Sequence, residues 1–231
     1  MLVFVDFEHA SAHARKHGER ILAARTRLTY RLEDLAGLHC HLVRYDRIDQ
    51  HLLDTLGATA IFVSGNSVSP HDYDAAQLES VEEIIRTTDL PVFGFCGGFQ
   101  LIAQALGVDV VALPVDGPRR ADPTVVVSDE GRAFEYGYHP IDVVDGHEDH
   151  PLVADLGDCV FRHAHGFHVP ELPIGFSRLA STAATPNQIA VDDRRRIVGT
   201  QFHPEYWTDE HPAGRSLIAN FMRWAGVAEV E

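Results

Sequence analysis

The first half of the chain alternates short apolar runs with segments of helical periodicity, and this order restricts the possible folds more than any other feature. Apolar runs bounded by turn residues predict strands at residues 2–7, 39–45, 60–63 and 91–95. Apolar side chains at helical spacing predict helices at residues 19–35, 47–56, 74–87 and 98–106. Such an order predicts a parallel sheet with helices on both faces, joined by right-handed crossovers. Ligands of these sheets bind beyond the carboxyl ends of the strands, where functional residues are therefore expected.

The second half, from residue 108 to residue 200, carries shorter apolar runs separated by turn residues. They predict antiparallel strands added to the sheet at residues 125–127, 141–144, 159–161, 188–191 and 197–199. Residues 212–224 predict a closing helix with one apolar stripe. No repeat, low-complexity tract or linker is visible. We therefore expect one domain over residues 1–231, a three-layer α/β fold with a mostly parallel central sheet, helices on both faces and antiparallel strands in the C-terminal half.

The composition argues against several kinds of partner and location. The formal net charge is −15, and a field of that sign repels the phosphates of nucleic acids and of anionic membranes. No run approaches the roughly 20 apolar residues of a membrane helix, and the first residues lack the basic region of a signal peptide. The three cysteines, Cys40, Cys96 and Cys159, are odd in number and far apart. We therefore expect no disulfide and a reducing cytoplasm.

A candidate nucleophile lies at the junction of the fourth predicted strand and the helix after it. Residues 94–98 read Gly-Phe-Cys-Gly-Gly, the glycine-flanked elbow that holds a nucleophile on a strained turn above a sheet. The turn places Cys96 at a helix N-terminus, where the dipole favours a thiolate, and directs the N–H of Gly97 at a developing oxyanion. A free cysteine is most often a small buried hydrophobic residue, which is our interpretation of Cys40 and Cys159. The elbow is short and by itself leaves both interpretations of Cys96 open.

A candidate base and its partner follow the last predicted strand. Residues 199–205 read Gly-Thr-Gln-Phe-His-Pro-Glu, and the proline fixes its own φ while favouring an extended conformation for His203. A cysteine nucleophile needs a base, and the base needs a group that orients it. We expect His203 to take the proton of Cys96 and Glu205 to bind the other imidazole nitrogen. A single histidine carries little weight among 15, so the longer string carries this prediction.

Together these segments resemble those of the class I, triad-type glutamine amidotransferases. Residues 95–102 (Phe-Cys-Gly-Gly-Phe-Gln-Leu-Ile) resemble the nucleophile segment of that family, and residues 199–205 resemble its His/Glu segment. Residues 165–169, with the segments 172–176 and 179–181, resemble its substrate loop and the strand after it. Residues 214–221 resemble its closing helix. The order and spacing of the segments agree from about residue 59 to residue 225.

The resemblance implies a flavodoxin-like fold and hydrolysis of the glutamine side-chain amide through a cysteinyl thioester, with ammonia passed to a separate synthase or ligase. It implies a catalytic triad of Cys96, His203 and Glu205. It implies an oxyanion hole at Gly65, Asn66 and Gly97, and a glutamine site formed by Gln100, His165, Gly166 and Phe167. It implies no cofactor, and the sequence has no Walker A or dinucleotide-binding motif that could hold ATP.

Two positions depart from the family pattern where the substrate would be recognised. The oxyanion loop usually reads Ser-Gly-Gly-Pro, whereas residues 64–67 here read Ser-Gly-Asn-Ser, and many members have an acidic residue where Phe167 stands. These departures keep open a stand-alone hydrolase of γ-glutamyl amides or peptides with the same triad. A third alternative is a non-catalytic regulatory subunit, against which the intact triad argues. Residues 8–13 match nothing in the family, and they could form a surface helix or a partner-docking surface.

The histidines allow one further interpretation. His163, His165 and His168 lie within six residues and, together with His203, could be metal ligands. A His-x-His pair in an extended segment is common in a histidine-rich chain, so we expect no metal site here.

Overall fold

The centre of the molecule is an eight-stranded sheet. The computed structural model describes residues 1–115 and 124–228. Five adjacent strands are parallel: β1 (Leu2–Asp6), β2 (Cys40–Arg44), β3 (Ala60–Val63), β4 (Val92–Phe95) and β13 (Ile197–Thr200). Three antiparallel strands extend them: β12 (Ile189–Asp192), β11 (Ser177–Ser181) and β8 (Asp142–Val143). The strand order is β2-β1-β3-β4-β13-β12-β11-β8, so the ends of β3, β4 and β13 lie side by side.

Helices cover both faces of this sheet and create the three layers. They are α1 (Ala10–His13), α2 (Gly18–Ala36), α3 (Gln50–Leu56), α4 (Ala75–Thr87), α5 (Gly97–Ala105) and α6 (Ala213–Trp224). The apolar stripes of α2 and α6 pack on one face, and those of α3, α4 and α5 pack on the other. Because β3 and β4 are buried from both sides, all of their residues are apolar or glycine.

Local sequence explains where several helices begin and end. The side chain of Asp74 accepts the N–H of Ala76 at the start of α4. α2 is followed by the capping residue Gly37, whose φ of 64° is readily adopted by glycine. The expected α/β architecture is confirmed, and the predicted helices and first four strands lie within about three residues of their observed bounds. None of the helices in the described part of the chain combines the length and apolar character that a bilayer crossing requires.

The structure contains two smaller sheets, although every later strand was expected to join the central sheet. β6 (Val125–Val127), β7 (Ala133–Pro140) and β9 (Val160–His165) form a separate antiparallel sheet, and β5 (Val111–Ala112) pairs with β10 (Phe167–His168). The prediction was therefore wrong for the runs at 125–127 and 159–161. The run at 197–199 does join the central sheet, but parallel to β4. An apolar run predicts that a segment forms a strand. Which other strand it pairs with depends on how the rest of the chain folds.

Candidate active site

Cys96 lies on a strained turn between β4 and α5. Its backbone has φ 49° and ψ −103°, a conformation that costs a non-glycine residue roughly 1–3 kcal/mol and is concentrated at functional sites. Its N–H donates to the carbonyl of Thr200 at 2.7 Å, which ties the turn to β13. A Cβ on Gly98 would lie 2.4 Å from the carbonyl oxygen of Val63. The elbow inferred from the sequence is therefore present, and close backbone contact explains this glycine of the motif.

His203 and Glu205 form a buried pair immediately after β13. Glu205 lies in the 3-10 turn Pro204–Tyr206, and its Oε1 is 2.8 Å from Nδ1 of His203. Burial by itself lowers the pKa of His203, but the negative charges of Glu205 and Cys96 and hydrogen bonds to both outweigh it. They raise the pKa to about 10. At neutral pH the ring is therefore an imidazolium that can stabilise a thiolate and later release a proton.

The backbone around this pair is held by neighbouring elements. The N–H of His203 donates to the carbonyl of Arg162 at 2.8 Å, which joins the turn to β9. Nη1 of Arg31, on α2, donates to the carbonyl of Glu205 at 2.8 Å. The same guanidinium lies 4.2 Å from the ring centroid of Trp207. The orientation of the base therefore depends on β9 and α2 as well as on Pro204.

The three residues expected at the oxyanion hole come together beside Cys96. A Cβ on Gly65 would lie 2.7 Å from Cε1 of His203 and 3.5 Å from Cβ of Cys96. A Cβ on Gly97 would lie 2.1 Å from Oδ1 of Asn66 and 3.0 Å from its backbone nitrogen. Gly97 is the first residue of α5, where N–H groups have no partner within the helix. Nδ2 of Asn66 donates to the carbonyl of Val68 at 3.0 Å, so this asparagine stabilises its own loop.

The residues expected to bind substrate meet at one carbonyl group. Nε2 of Gln100, one turn after Cys96 on α5, donates to the carbonyl of Phe167 at 3.0 Å. Nδ1 of His165 lies 3.0 Å from the same oxygen. The carbonyl of Gly166 accepts the N–H of Leu113 at 2.8 Å. Gln100 and His165 thus fix the backbone of the loop that would face the substrate.

A buried carboxylate, Glu135 on β7, lies behind this loop and was not singled out from the sequence. Its Oε2 is 3.0 Å from Nε2 of His165, and its oxygens accept hydrogen bonds of 2.9 Å from Thr182, Thr185 and Gln188. Burial by itself raises the pKa of Glu135, but the hydrogen bond and charge of His165 outweigh it and lower the pKa to about 2. Nδ1 of His165 faces the Phe167 carbonyl and Nε2 faces Glu135, so this ring links the carboxylate to the loop.

The histidines considered as metal ligands do not all lie together in the structure. Among the described residues, His163 and His165 group with Glu135, with potential ligand atoms within 4.8 Å of one another. His168 and His203 are not part of that group. Burial lowers the pKa of His163 to about 3, so its ring is neutral. Both oxygens of Glu135 accept hydrogen bonds, from Thr182 and Thr185, so the carboxylate connects β7 to the segment after β11.

Replacing Glu135 with glutamine is expected to destabilise the fold by about 3 kcal/mol at neutral pH, because the fold lowers the pKa of this buried carboxyl from 4.5 to about 2 and each pKa unit corresponds to about 1.4 kcal/mol. The folded state lowers the pKa of this carboxyl from 4.5 to about 2, so its contribution is complete above pH 4.5 and is lost as the pH falls towards 2. Urea unfolding of the wild type and of Glu135→Gln should show that the difference between their free energies of unfolding becomes smaller as the pH falls. Glu130→Gln, at an exposed position, is the control. A difference in the free energy of unfolding that stays constant down to about pH 3 would contradict the lowered pKa of Glu135.

A cavity of about 710 Å³ opens at Cys96. Most of the predicted site residues line it: Cys96, His203, Gly65, Asn66, Gln100, His165, Gly166 and Phe167. Glu205 and Gly97 do not line it, and both are buried behind it. The structure thus brings together residues from β3, β4, α5, β9 and β13 at the carboxyl edge of the parallel strands, where ligands of such sheets bind.

Several polar residues around the site were not predicted as site residues from the sequence. Nε2 of Gln201 lies 3.9 Å from Sγ of Cys96, and this side chain is fully buried. Gln201 belongs to the same string as His203, which could have drawn attention to it. Arg25, Arg31 and Glu135 reach the site from distant elements, so no local spacing identifies them.

Comparison with known proteins places the chain in one family. The model of the class I glutamine amidotransferase family matches residues 24–224. A GMP synthase (glutamine-hydrolyzing) of Thermomicrobium roseum is 35% identical over 188 residues, which cover 81% of this chain and 30% of the relative. Another from Phenylobacterium zucineum is 28% identical over 190 residues, which cover 80% of this chain and 31% of the relative. The chain therefore spans about 30% of the length of these curated relatives.

A solved structure shares the fold. The crystal structure of a Thermoplasma acidophilum protein, assigned to GMP synthase as one of its subunits, superposes with a TM-score of 0.69 and 23% identity. The match covers 98% of this chain and 95% of that one. Because the family model matches most of the chain, from within α2 to the end of α6, this protein belongs to the class I glutamine amidotransferase family.

Proposed function

We propose that this protein hydrolyses the side-chain amide of glutamine at Cys96 and supplies the ammonia to a synthase or ligase partner. The observation that carries the proposal is Cys96 on its strained elbow, with His203 beside it across Gly65 and Glu205 paired with His203. This is the nucleophile, base and orienting group that acyl transfer requires, in a chain of the amidotransferase family.

The chemistry follows from the position of each group. The Cys96 thiolate attacks the amide carbon, and the oxyanion that forms accepts hydrogen bonds from the backbone N–H groups of Asn66 and Gly97. The His203 imidazolium gives its proton to the leaving nitrogen, so ammonia departs and a γ-glutamyl thioester remains on Cys96. Neutral His203 then takes a proton from water, which attacks the thioester and releases glutamate. Glu205 stays ionised and holds the ring throughout.

The partner is part of the proposal. The relatives that this chain matches are named GMP synthases and are about three times longer, so they carry additional sequence. We propose that a synthase or ligase outside residues 1–231 activates the ammonia acceptor, since these residues contain no Walker A or dinucleotide-binding motif. The net charge of −15 disfavours nucleic acid as that partner. Three free cysteines suit a reducing cytoplasm, and we propose one domain that needs no cofactor.

The cavity favours a second candidate, a hydrolase of larger γ-glutamyl amides. A volume of about 710 Å³ is typical of sites for drug-sized ligands, which are larger than glutamine. Ile21, Phe134 and Tyr136 contribute apolar and aromatic wall beyond the triad. Turnover of γ-glutamyl conjugates with negligible turnover of glutamine would support this candidate over a glutaminase.

The test is ammonia release from glutamine together with labelling by 6-diazo-5-oxo-norleucine, an electrophilic glutamine analogue. We expect glutaminase activity and one covalent label, which peptide mass spectrometry places on Cys96. Glutamine should protect against labelling, because both molecules occupy the same site. Absence of labelling and of hydrolysis of every γ-glutamyl compound would overturn the proposal and favour a non-catalytic role.

A further inference from the structure

The oxyanion loop is held by two side chains of the N-terminal segment, Arg25 and Glu8, which line the same cavity. Nη2 of Arg25, on α2, donates to the carbonyl of Gly65 at 2.7 Å. Oγ of Ser64 donates to the same oxygen at 2.8 Å. Two residues further on, the N–H of Ser67 donates to Oε1 of Glu8 at 3.1 Å. The loop is therefore fixed on both sides of the peptide bond between Gly65 and Asn66.

Arg25 is itself fixed and charged. Its Nε donates to Oδ1 of Asp6 at 2.7 Å, its Nη2 lies 3.9 Å from Glu8, and only 4% of the residue is exposed. Asp6 also lies 3.3 Å from Nε2 of His13. Burial by itself lowers the pKa of Arg25, but the charge of Asp6, its hydrogen bond to Arg25 and the charge of Glu8 outweigh it and raise the pKa above its ordinary value. A planar guanidinium with several donors can bind a carboxylate and a carbonyl at once.

The direction of the Asn66 N–H follows from this arrangement. In a trans peptide the C=O of one residue and the N–H of the next point in opposite directions, and the structure has no cis peptide bond among its described residues. Because the Gly65 carbonyl points at Arg25, the Asn66 N–H points away from it. Gly65 lies against His203 and Cys96, and the Asn66 nitrogen lies beside Gly97. The N–H is therefore directed to the side of the loop that holds the nucleophile.

We propose that Arg25 is a positioning residue that locks the Gly65–Asn66 peptide with the Asn66 N–H towards the tetrahedral intermediate on Cys96. The inference deepens the proposed glutaminase function and rests on it. It also gives the N-terminal segment a role, because Asp6 and Glu8 hold Arg25 and the loop from the end of β1. Without Arg25 the peptide could rotate, and one of the two donors to the oxyanion would be lost.

The test uses variants of the full chain that separate oxyanion stabilisation from folding. Arg25→Lys keeps the charge but cannot reach Asp6 and the Gly65 carbonyl with a fork of donors. The double variant, Arg25→Met with Asp6→Asn, removes both charges of the closest buried ion pair, so that no unpaired carboxylate remains at position 6. Arg27→Met is the matched control, since Arg27 is exposed on the same helix.

The readouts are kcat and KM for glutamine, the rate of Cys96 alkylation by iodoacetamide, and thermal unfolding. We expect kcat to fall about tenfold in Arg25→Lys and about 100-fold in the double variant, because loss of one oxyanion donor costs about 10²–10³ in kcat. KM should change little. Alkylation by iodoacetamide forms no oxyanion, so its rate should stay close to that of the wild type. If a variant instead disturbed the triad, glutamine hydrolysis and alkylation of Cys96 would both become slower.

Each outcome decides between the alternatives. If Arg25→Lys and the double variant hydrolyse glutamine at the wild-type rate, or if alkylation falls in parallel with kcat, Arg25 does not position the oxyanion hole. If the double variant does not fold, Arg25→Lys alone decides, by the same comparison of kcat with alkylation. Failure of the wild type itself to hydrolyse glutamine would instead reject the proposed function.

Discussion

Replacing Cys96 with alanine is expected to reduce ammonia release from glutamine by about 10⁵- to 10⁶-fold, because removal of a nucleophile from such a triad leaves only binding and the oxyanion hole. The variant should fold normally, since alanine fills most of the space of a buried cysteine. It should also still bind glutamine. Isothermal titration calorimetry measures this binding, and coupled detection of glutamate measures the reaction rate. Labelling by 6-diazo-5-oxo-norleucine should disappear.

Cys40→Ala is the matched control for this experiment. Burial, with the charge of Glu33, raises the pKa of Cys40 to about 12, so its thiol stays protonated and unreactive at neutral pH. This variant should keep full activity and the full amount of label. Activity that survives Cys96→Ala, or a label that moves to Cys40 or Cys159, would show that Cys96 is not the nucleophile.

Replacing Glu205 with glutamine is expected to lower kcat by about 10⁴-fold, the loss seen when the orienting acid of a triad is changed to its amide. The carboxylate is one of the charges that raise the pKa of His203 to about 10, against the lowering effect of burial. Without it, the pKa of His203 moves down. The ring then loses its proton at lower pH, the thiolate loses its counter-ion, and the leaving nitrogen loses its proton donor.

The pH dependence of this variant gives the sharper measurement. The wild type should keep its activity in alkaline solution until His203 titrates near its pKa of about 10. In Glu205→Gln the alkaline fall of kcat/KM should lie at lower pH, because the pKa of His203 is lower without this carboxylate. Glu210→Gln, at an exposed position a few residues later, should match the wild type. An unchanged alkaline limb in Glu205→Gln would mean that Glu205 does not set the charge of His203.

The parts of the site that sequence could predict are those that lie within one short segment. The elbow at Cys96 is encoded by adjacent glycines, which close backbone contacts require, as at Gly98 and Val63. The His203–Glu205 pair is encoded by a spacing of two residues around a proline, and the two side chains do form a hydrogen bond. The strand β3 was predicted with its observed bounds, because an unbroken apolar run between turn residues is typical of a central parallel strand.

The supports of the site could not be predicted in this way. Arg25 is 40 residues from the carbonyl that it holds, and Glu135 contacts Gln188 across 53 residues. Charged residues are usually exposed, so nothing in the local sequence distinguishes Arg25 from its exposed neighbour Arg27. The separate sheet formed by β6, β7 and β9 was missed for a related reason, since β propensity does not specify which strands pair.

The sequence by itself therefore determined the α/β class, the order of the elements in the parallel half and the identity of the three candidate catalytic residues. These features depend on periodicity and on contacts between near neighbours, which a linear pattern records. Only the tertiary structure decided that β13 lies parallel to β4, which brings His203 to Cys96, and that Arg25 and Glu135 brace the two loops of the cavity. Those features depend on burial and hydrogen bonding between distant segments, whose free energy arises only when the whole chain has folded.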